Sequence, residues 1–278
     1  MTSPVIVHCV RHAQGFHNLG EEYFNLEDPA LTPLGEDQCA KLRQTLFQDQ
    51  SKIKLVVSSP MTRALHTAYL VFHPTVQTQK IIAIPEAQEI WDYGCDTGSE
   101  VDVLKTKTAE NGWPVDLALV HRGWFDKNLY GPNSPVSSAC AARARTVRRF
   151  LREKARALSQ ETEEEIHVAL VAHGSFLHYL SNDWENSTRG CGTSWSNCET
   201  RSYVFQDSDG DNDSEAWLVE TAESRKRRGL EGPAPSMAQQ QELYQQSMDG
   251  WVGQGLPDLR SVATASTLTT QEASRPKL

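Results

Sequence analysis

Apolar residues along the chain fall into two alternating patterns. Short runs rich in β-branched residues, at 5–10, 54–58, 80–84 and 166–172, read as strands, the last with the apolar character, interrupted only at His167, of one buried on both faces. Between them lie stretches with helical spacing at 34–48, 60–72 and 138–158, the last containing AARARTVRRFLREKARAL. Strands that alternate with helices imply crossover connections and parallel pairing. Two later runs, 201–206 and 216–220, flank the turn-forming stretch DSDGDND and predict an antiparallel pair at the sheet edge. The expected architecture is a three-layer α/β sandwich, a mostly parallel central sheet with helices on both faces and an antiparallel edge strand. After 221 the composition turns to ESRKRRGLEGPAPS, a Gln-rich stretch and a Ser/Thr-rich end, which predicts a folded body over 1–221 and a polar tail over 222–278, ordered in part at most.

Composition narrows the function classes. The chain has 278 residues and a net charge of -9, so phosphate backbones and anionic lipid surfaces are not its expected partners. Lys226, Arg227 and Arg228 form the one basic cluster of note, read as a solvated charge run rather than a nuclear signal. Six cysteines, Cys9, Cys39, Cys95, Cys140, Cys191 and Cys198, form no CxxC pair, so neither a zinc ribbon nor a dithiol redox motif is spelled out. The Asp-rich turn at 207–213 lacks the flanking helices of a calcium-binding loop, and Leu218 stands where that loop needs a bidentate Glu. No apolar run approaches membrane-spanning length, and a cytoplasmic protein is expected, with the nucleus as the alternative.

The first strand, VIVHCV, runs into Arg11 and His12, which places a guanidinium and an imidazole where open α/β sheets bind ligands. Ser59 and Pro60 read as an N-cap and a first-turn proline, so Arg63 is expected in the first turn of the following helix. A helix start offers unpaired N–H groups, and a forked guanidinium beside them makes a phosphate clamp.

These pieces occur in an ordered set. Arg11-His12-Ala13, Asn18, Leu31-Thr-Pro-Leu-Gly35, Ser58-Ser-Pro-Met-Thr-Arg63-Ala64, Glu89 and Leu170-Val-Ala-His173-Gly174 together resemble the histidine phosphatase superfamily, also called phosphoglycerate-mutase-like. Its signature is an RH(G/A) strand end, an LTxxG turn, an SxxxRAxxTA helix start and a late HG. The resemblance covers about residues 4–206, and the stretches VRHAQGFHNL, DPALTPLGEDQC, EIWDYGCDTGSE and AHGSFLHYL further resemble a fungal-type branch.

The resemblance implies that His12 and His173 leave neighbouring strand ends and that His12 is a nucleophile forming a phosphohistidine. Arg11, Arg63, His173, Asn18 and Gly174 would then hold the phosphoryl group, with arginine charge in the place of a metal, so neither metal nor other cofactor is expected. Glu89 is the general acid by its position in the family pattern, with Asp92 and Asp96 as competitors for that role. In the glycolytic mutases an Arg-containing ERHYG-like segment holds a second anion. Here the segment reads Glu89-Ile-Trp-Asp-Tyr-Gly94, which favours a phosphatase and leaves Trp91, Tyr93 and Trp124 to face an apolar substrate body. The expected partner is a small-molecule phosphate ester, handled by a monomer or homodimer. A stretch at 183–198 reads as a lid or wall that disfavours phosphoprotein substrates. The alternatives are a mutase-type phosphotransferase and a catalytically idle interaction module of the same fold.

Overall fold

The computed structural model describes residues 5–188, 194–206 and 214–262. In chain order its elements are β1 (Val5–Arg11), α1 (Pro33–Thr45), β2 (Ile53–Ser58), α2 (Thr62–Val71), α3 (His73–Val76), β3 (Ile81–Ala83), α4 (Val101–Glu110), β4 (Val115–Asp116), α5 (Ser137–Ser159), β5 (Ile166–Ala172), α6 (Gly174–Ser181), β6 (Thr200–Phe205), β7 (Leu218–Glu220), α7 (Ala222–Arg227) and α8 (Met237–Gly253). The strands form one seven-stranded sheet in the order β4-β3-β2-β5-β1-β6-β7. The first five of that order pair in parallel, whereas β6 runs antiparallel to β1 and β7 antiparallel to β6. The three-layer expectation and the antiparallel edge are both present. The Asp-rich turn at 207–213 lies outside the described residues.

Alternation along the central strands divides the interior in two. Val7 and Cys9 of β1, Leu55 and Val57 of β2 and Val168, Leu170 and Ala172 of β5 pack with α5, α6 and α8. Val10, Val56, Ala169 and Val171 point the other way and pack with α1, α2, α3 and α4. Successive strand side chains face opposite sides, so a sheet covered on both faces needs unbroken apolar strands. Among the described residues no helix is long and apolar enough to cross a membrane.

Of the stretch read as a polar tail ordered in part at most, residues 222–262 are described and pack on the body. From 222 to 262 it contributes two helices, and Met248, Trp251 and Leu259 are buried in the first of the two cores, with Leu243 and Tyr244 packed against it. Those apolar positions recur at helical spacing within a Gln-rich background, and average polarity masked them. Ser236 accepts a hydrogen bond from the Gln239 N–H, and Gln239 bonds back to the Ser236 N–H, a capping box that starts α8. Arg225 and Arg228 pair with Glu185, Glu220 and Asp183, so this part of the charge run is tied to the body.

Candidate active site

Register positions the two histidines. In the parallel pair β1–β5, Arg11 stands opposite Ala172, so the next residues, His12 and His173, leave adjacent strand ends side by side. Their ring centroids are 5.2 Å apart. β1 has parallel β5 on one side and antiparallel β6 on the other, so the pair sits where the sheet changes direction.

The hydrogen bonds of each ring fix its tautomer. His12 Nδ1 lies 2.7 Å from the Ala13 carbonyl oxygen, which only accepts, so Nδ1 carries the proton. Nε2 then holds the lone pair, and it accepts from Arg63 Nε at 3.3 Å. His173 is the mirror case. Its Nδ1 faces Arg63 Nη2 at 3.2 Å and must accept, so Nε2 donates to the Ser59 hydroxyl at 2.8 Å. Burial, then the nearby Arg63 charge, holds both imidazoles well below their ordinary range, so both are neutral.

Arg63 is fully buried in the first turn of α2 and reaches three segments. Besides the two rings, its Nη1 donates to the Cys95 carbonyl at 2.6 Å and its Nη2 to Asp96 at 2.7 Å. The helix start differs from the expected one. α2 begins at Thr62, and Asp28 caps it by accepting from the Thr62 N–H at 2.7 Å and the Thr62 hydroxyl at 2.5 Å. Ser59, read as the cap, accepts from the Met61 N–H at 3.3 Å and from His173. The Thr62 N–H is therefore taken by Asp28, and what this helix start presents to a phosphate is the Arg63 side chain.

Glu89 follows a 3-10 turn over Pro85–Ala87 that Arg143 of α5 holds by donating to the Glu86 and Gln88 carbonyls, both at 2.9 Å. Its carboxyl accepts from the Ile90, Ser175 and Phe176 N–H groups at 2.9, 3.2 and 2.9 Å, the last two at the start of α6. Burial, followed by the Asp96 charge, pushes it above the usual carboxylate range against those three donors. Burial also pushes Asp96 up, while Arg63 and Lys127 favour its charge. Two neighbouring buried carboxyls are poorly held as two anions. The charge sits better on Asp96, against the guanidinium, and the proton on Glu89.

Lys127 is buried beside these groups, donating to the Gln88 side chain at 2.8 Å and the Asp96 carbonyl at 3.2 Å, and burial lowers it to about 8. Asn18 Oδ1 accepts from the Gly15 N–H at 3.1 Å and from Asn197 Nδ2 at 3.2 Å, and Asn197 also donates to the His12 carbonyl at 3.1 Å. Arg11 donates from Nη1 to the Trp195 carbonyl. Thr32 caps α1, and a side chain at Gly35 would meet the Gln14 carbonyl oxygen at 2.2 Å, so the LTPLG segment packs directly on the loop after His12.

His12, His173, Arg63, Asn18 and Glu89 thus converge on the carboxyl ends of β1 and β5 and the segments beside them, and Gly174 opens α6. The aromatics expected to face a substrate body pack in or against the two cores. Trp91 is 7% exposed, packs against Trp251 in the core, and donates from its indole to the Ser175 hydroxyl at 2.8 Å. Trp124 is fully buried and bonded to the Ser99 carbonyl, whereas Tyr93 is half-buried between Trp91 and Phe24. Of the stretch read as a lid or wall, 189–193 lies outside the described residues, as does Cys191. Asp28, Lys127 and Asn197 were not singled out from sequence, and Asp96 was read as a rival acid rather than as the partner of Arg63.

Residues 7–217 match the model of the histidine phosphatase superfamily (branch 1). A phosphoglycerate mutase-like protein of Arabidopsis thaliana is 27% identical over 245 residues, covering 72% of this chain and 84% of that protein. A probable phosphatase of Schizosaccharomyces pombe is 32% identical over 119 residues, 41% of this chain and 53% of that protein. The solved structure of the ecdysone phosphate phosphatase of Bombyx mori with tungstate superposes with a TM-score of 0.53 at 13% identity, covering 83% of this chain and 93% of that one, a likeness of fold. The chain belongs to the histidine phosphatase superfamily.

Proposed function

We propose that the protein is a phosphatase that hydrolyses a small-molecule phosphate ester through a phosphohistidine on His12. The observation that carries the reading is a neutral His12 whose Nε2 lone pair faces a buried arginine and a second neutral imidazole. Nε2 attacks phosphorus in line with the ester oxygen. As it does so, Arg63 Nε gives up Nε2 and turns its donors, with Arg11, to the phosphoryl oxygens. The P–O bond breaks, and Glu89 passes its proton to the departing alkoxide. In the second half the Glu89 carboxylate takes a proton from water, the oxygen attacks phosphorus, the P–N bond breaks, and orthophosphate leaves with His12 neutral again.

Arg11 and Arg63 supply positive charge where the phosphoryl oxygens gather, so the chemistry runs without a metal ion. A phosphatase is preferred to a mutase because the segment after Glu89, Ile90-Trp-Asp-Tyr93, offers no cation for a second anionic group. The protein acts in the cytoplasm on a small molecule, and as a monomer or homodimer. Release of p-nitrophenol from p-nitrophenyl phosphate in the presence of EDTA tests the reading. The native chain releases it and His12→Ala does not; equal release by both rejects the proposal, as does activity abolished by EDTA.

A further inference from the structure

We infer that His17 is a third catalytic imidazole, hydrogen-bonding the phosphoryl group that His12 and His173 receive. The inference rests on the phosphoryl-transfer reading above. His17 is 7% exposed, and its ring centroid lies 5.3 Å from that of His12, nearly the same separation as His173 keeps. Yet its Nδ1 is buried without a hydrogen-bond partner. Buried polar atoms are bonded almost without exception, and Nδ1, packed against Gly15 with nothing to donate to, keeps its lone pair, so the ring proton rests on Nε2, the nitrogen left to donate to a ligand oxygen.

The seat is built for the ring. His17 lies in the 3-10 turn Phe16–Asn18, closed by the Asn18 N–H donating to the Gly15 carbonyl at 2.9 Å and the Gly15 N–H donating to Asn18 Oδ1 at 3.1 Å. A Cβ at Gly15 would come within 2.9 Å of the ring Cε1 and Nδ1, so the turn closes tightly on the imidazole. A Leu or Phe would fill that seat with no unpaired nitrogen, so filling space does not account for a histidine. The charges that bear on the ring are Arg63 from α2 and Arg11 from β1, and the imidazoles facing it, His12 and His173, are neutral. With burial as the larger cause, these cations hold His17 at about 2. A phosphoryl dianion entering the cluster reverses the sign of that field and gives the ring an acceptor to donate to.

The test uses orthophosphate as the probe and the full chain. Calorimetric titration is run on the native protein, His17→Phe and His17→Gln, with kcat/KM for p-nitrophenyl phosphate measured alongside. His17→Phe keeps the volume and loses the nitrogens, and it weakens both orthophosphate affinity and kcat/KM by about 10- to 100-fold. His17→Gln keeps a donor and recovers much of both. Orthophosphate affinity unchanged in folded His17→Phe overturns the inference. A second measurement covers failure of the variants to fold. In the native protein the imidazole nitrogen-15 resonances of His17, assigned through its own Cα and Cβ, shift on saturation with orthophosphate; no shift overturns the inference. Because binding is read without turnover, a native protein that binds orthophosphate but cleaves no ester sinks the phosphatase reading alone.

Discussion

Around His12 and His173, burial and the Arg63 guanidinium hold two imidazoles below their ordinary titration range, whereas around Glu89 burial and Asp96 hold a carboxyl above its own. The two halves of the site are equally dry. Desolvation disfavours whichever form is charged, so the same burial removes a proton from a base and leaves one on an acid. The nearest opposing charge then adds to burial on each side, the Arg63 cation at the imidazoles and the Asp96 anion at the carboxyl, while backbone N–H groups and Arg63 work the other way on Glu89. One enclosure thereby prepares a nucleophile with a free lone pair and a proton donor for the leaving group.

The contrast can be broken from either side. The largest effect is expected on the imidazole side, where His12→Ala lowers kcat on p-nitrophenyl phosphate on the order of 10³-fold or more, read in a steady-state assay. On the carboxyl side, Glu89→Gln lowers kcat by about 10²- to 10⁴-fold for an alkyl phosphate, whose alkoxide needs the proton. The loss is much smaller for p-nitrophenyl phosphate, whose leaving group departs unprotonated. Equal losses on both substrates would remove Glu89 from the acid role.

The boundary between the halves is the Arg63–Asp96 pair, and a pH profile reads it. With His12 held below its usual value and Glu89 above its own, activity persists below the ordinary histidine range and falls as pH rises through the Glu89 value. Asp96→Asn removes the anion that raises Glu89, so the alkaline limb moves to lower pH, and kcat drops by about 10-fold as Arg63 loses its anchor. An alkaline limb that stays in place contradicts the coupling. The smallest effect on catalysis is expected in the core beneath the site. Trp251→Ala costs about 3–5 kcal/mol of stability in urea unfolding because it empties a core site, while kcat changes little.

What was legible in the sequence is what local pattern encodes. β1 and β5 announce themselves as apolar runs, and Arg11-His12 and His173-Gly174 stand at their ends, where the topology of a parallel sheet puts ligands. Arg63 was legible through its place after Ser59-Pro60, although the cap that starts its helix is Asp28, which comes from a separate loop and leaves no local mark. Asp96, Lys127 and Asn197 were hidden for the same reason, since each acts through partners distant in the chain. The core contacts of Trp91 and Trp124 were not legible, because an aromatic near a site can serve the core and a substrate with the same chemistry. In α8 the signal was present, apolar positions at helical spacing, but glutamines on the exposed face outweighed it.

The most direct measurement is to quench the enzyme during turnover of a radiolabelled phosphate ester and ask where the label sits. The account predicts a labelled protein whose phosphate survives alkali, is lost in acid, and maps to His12. Turnover at full rate with no labelled histidine, or with label on a residue other than His12, would contradict it.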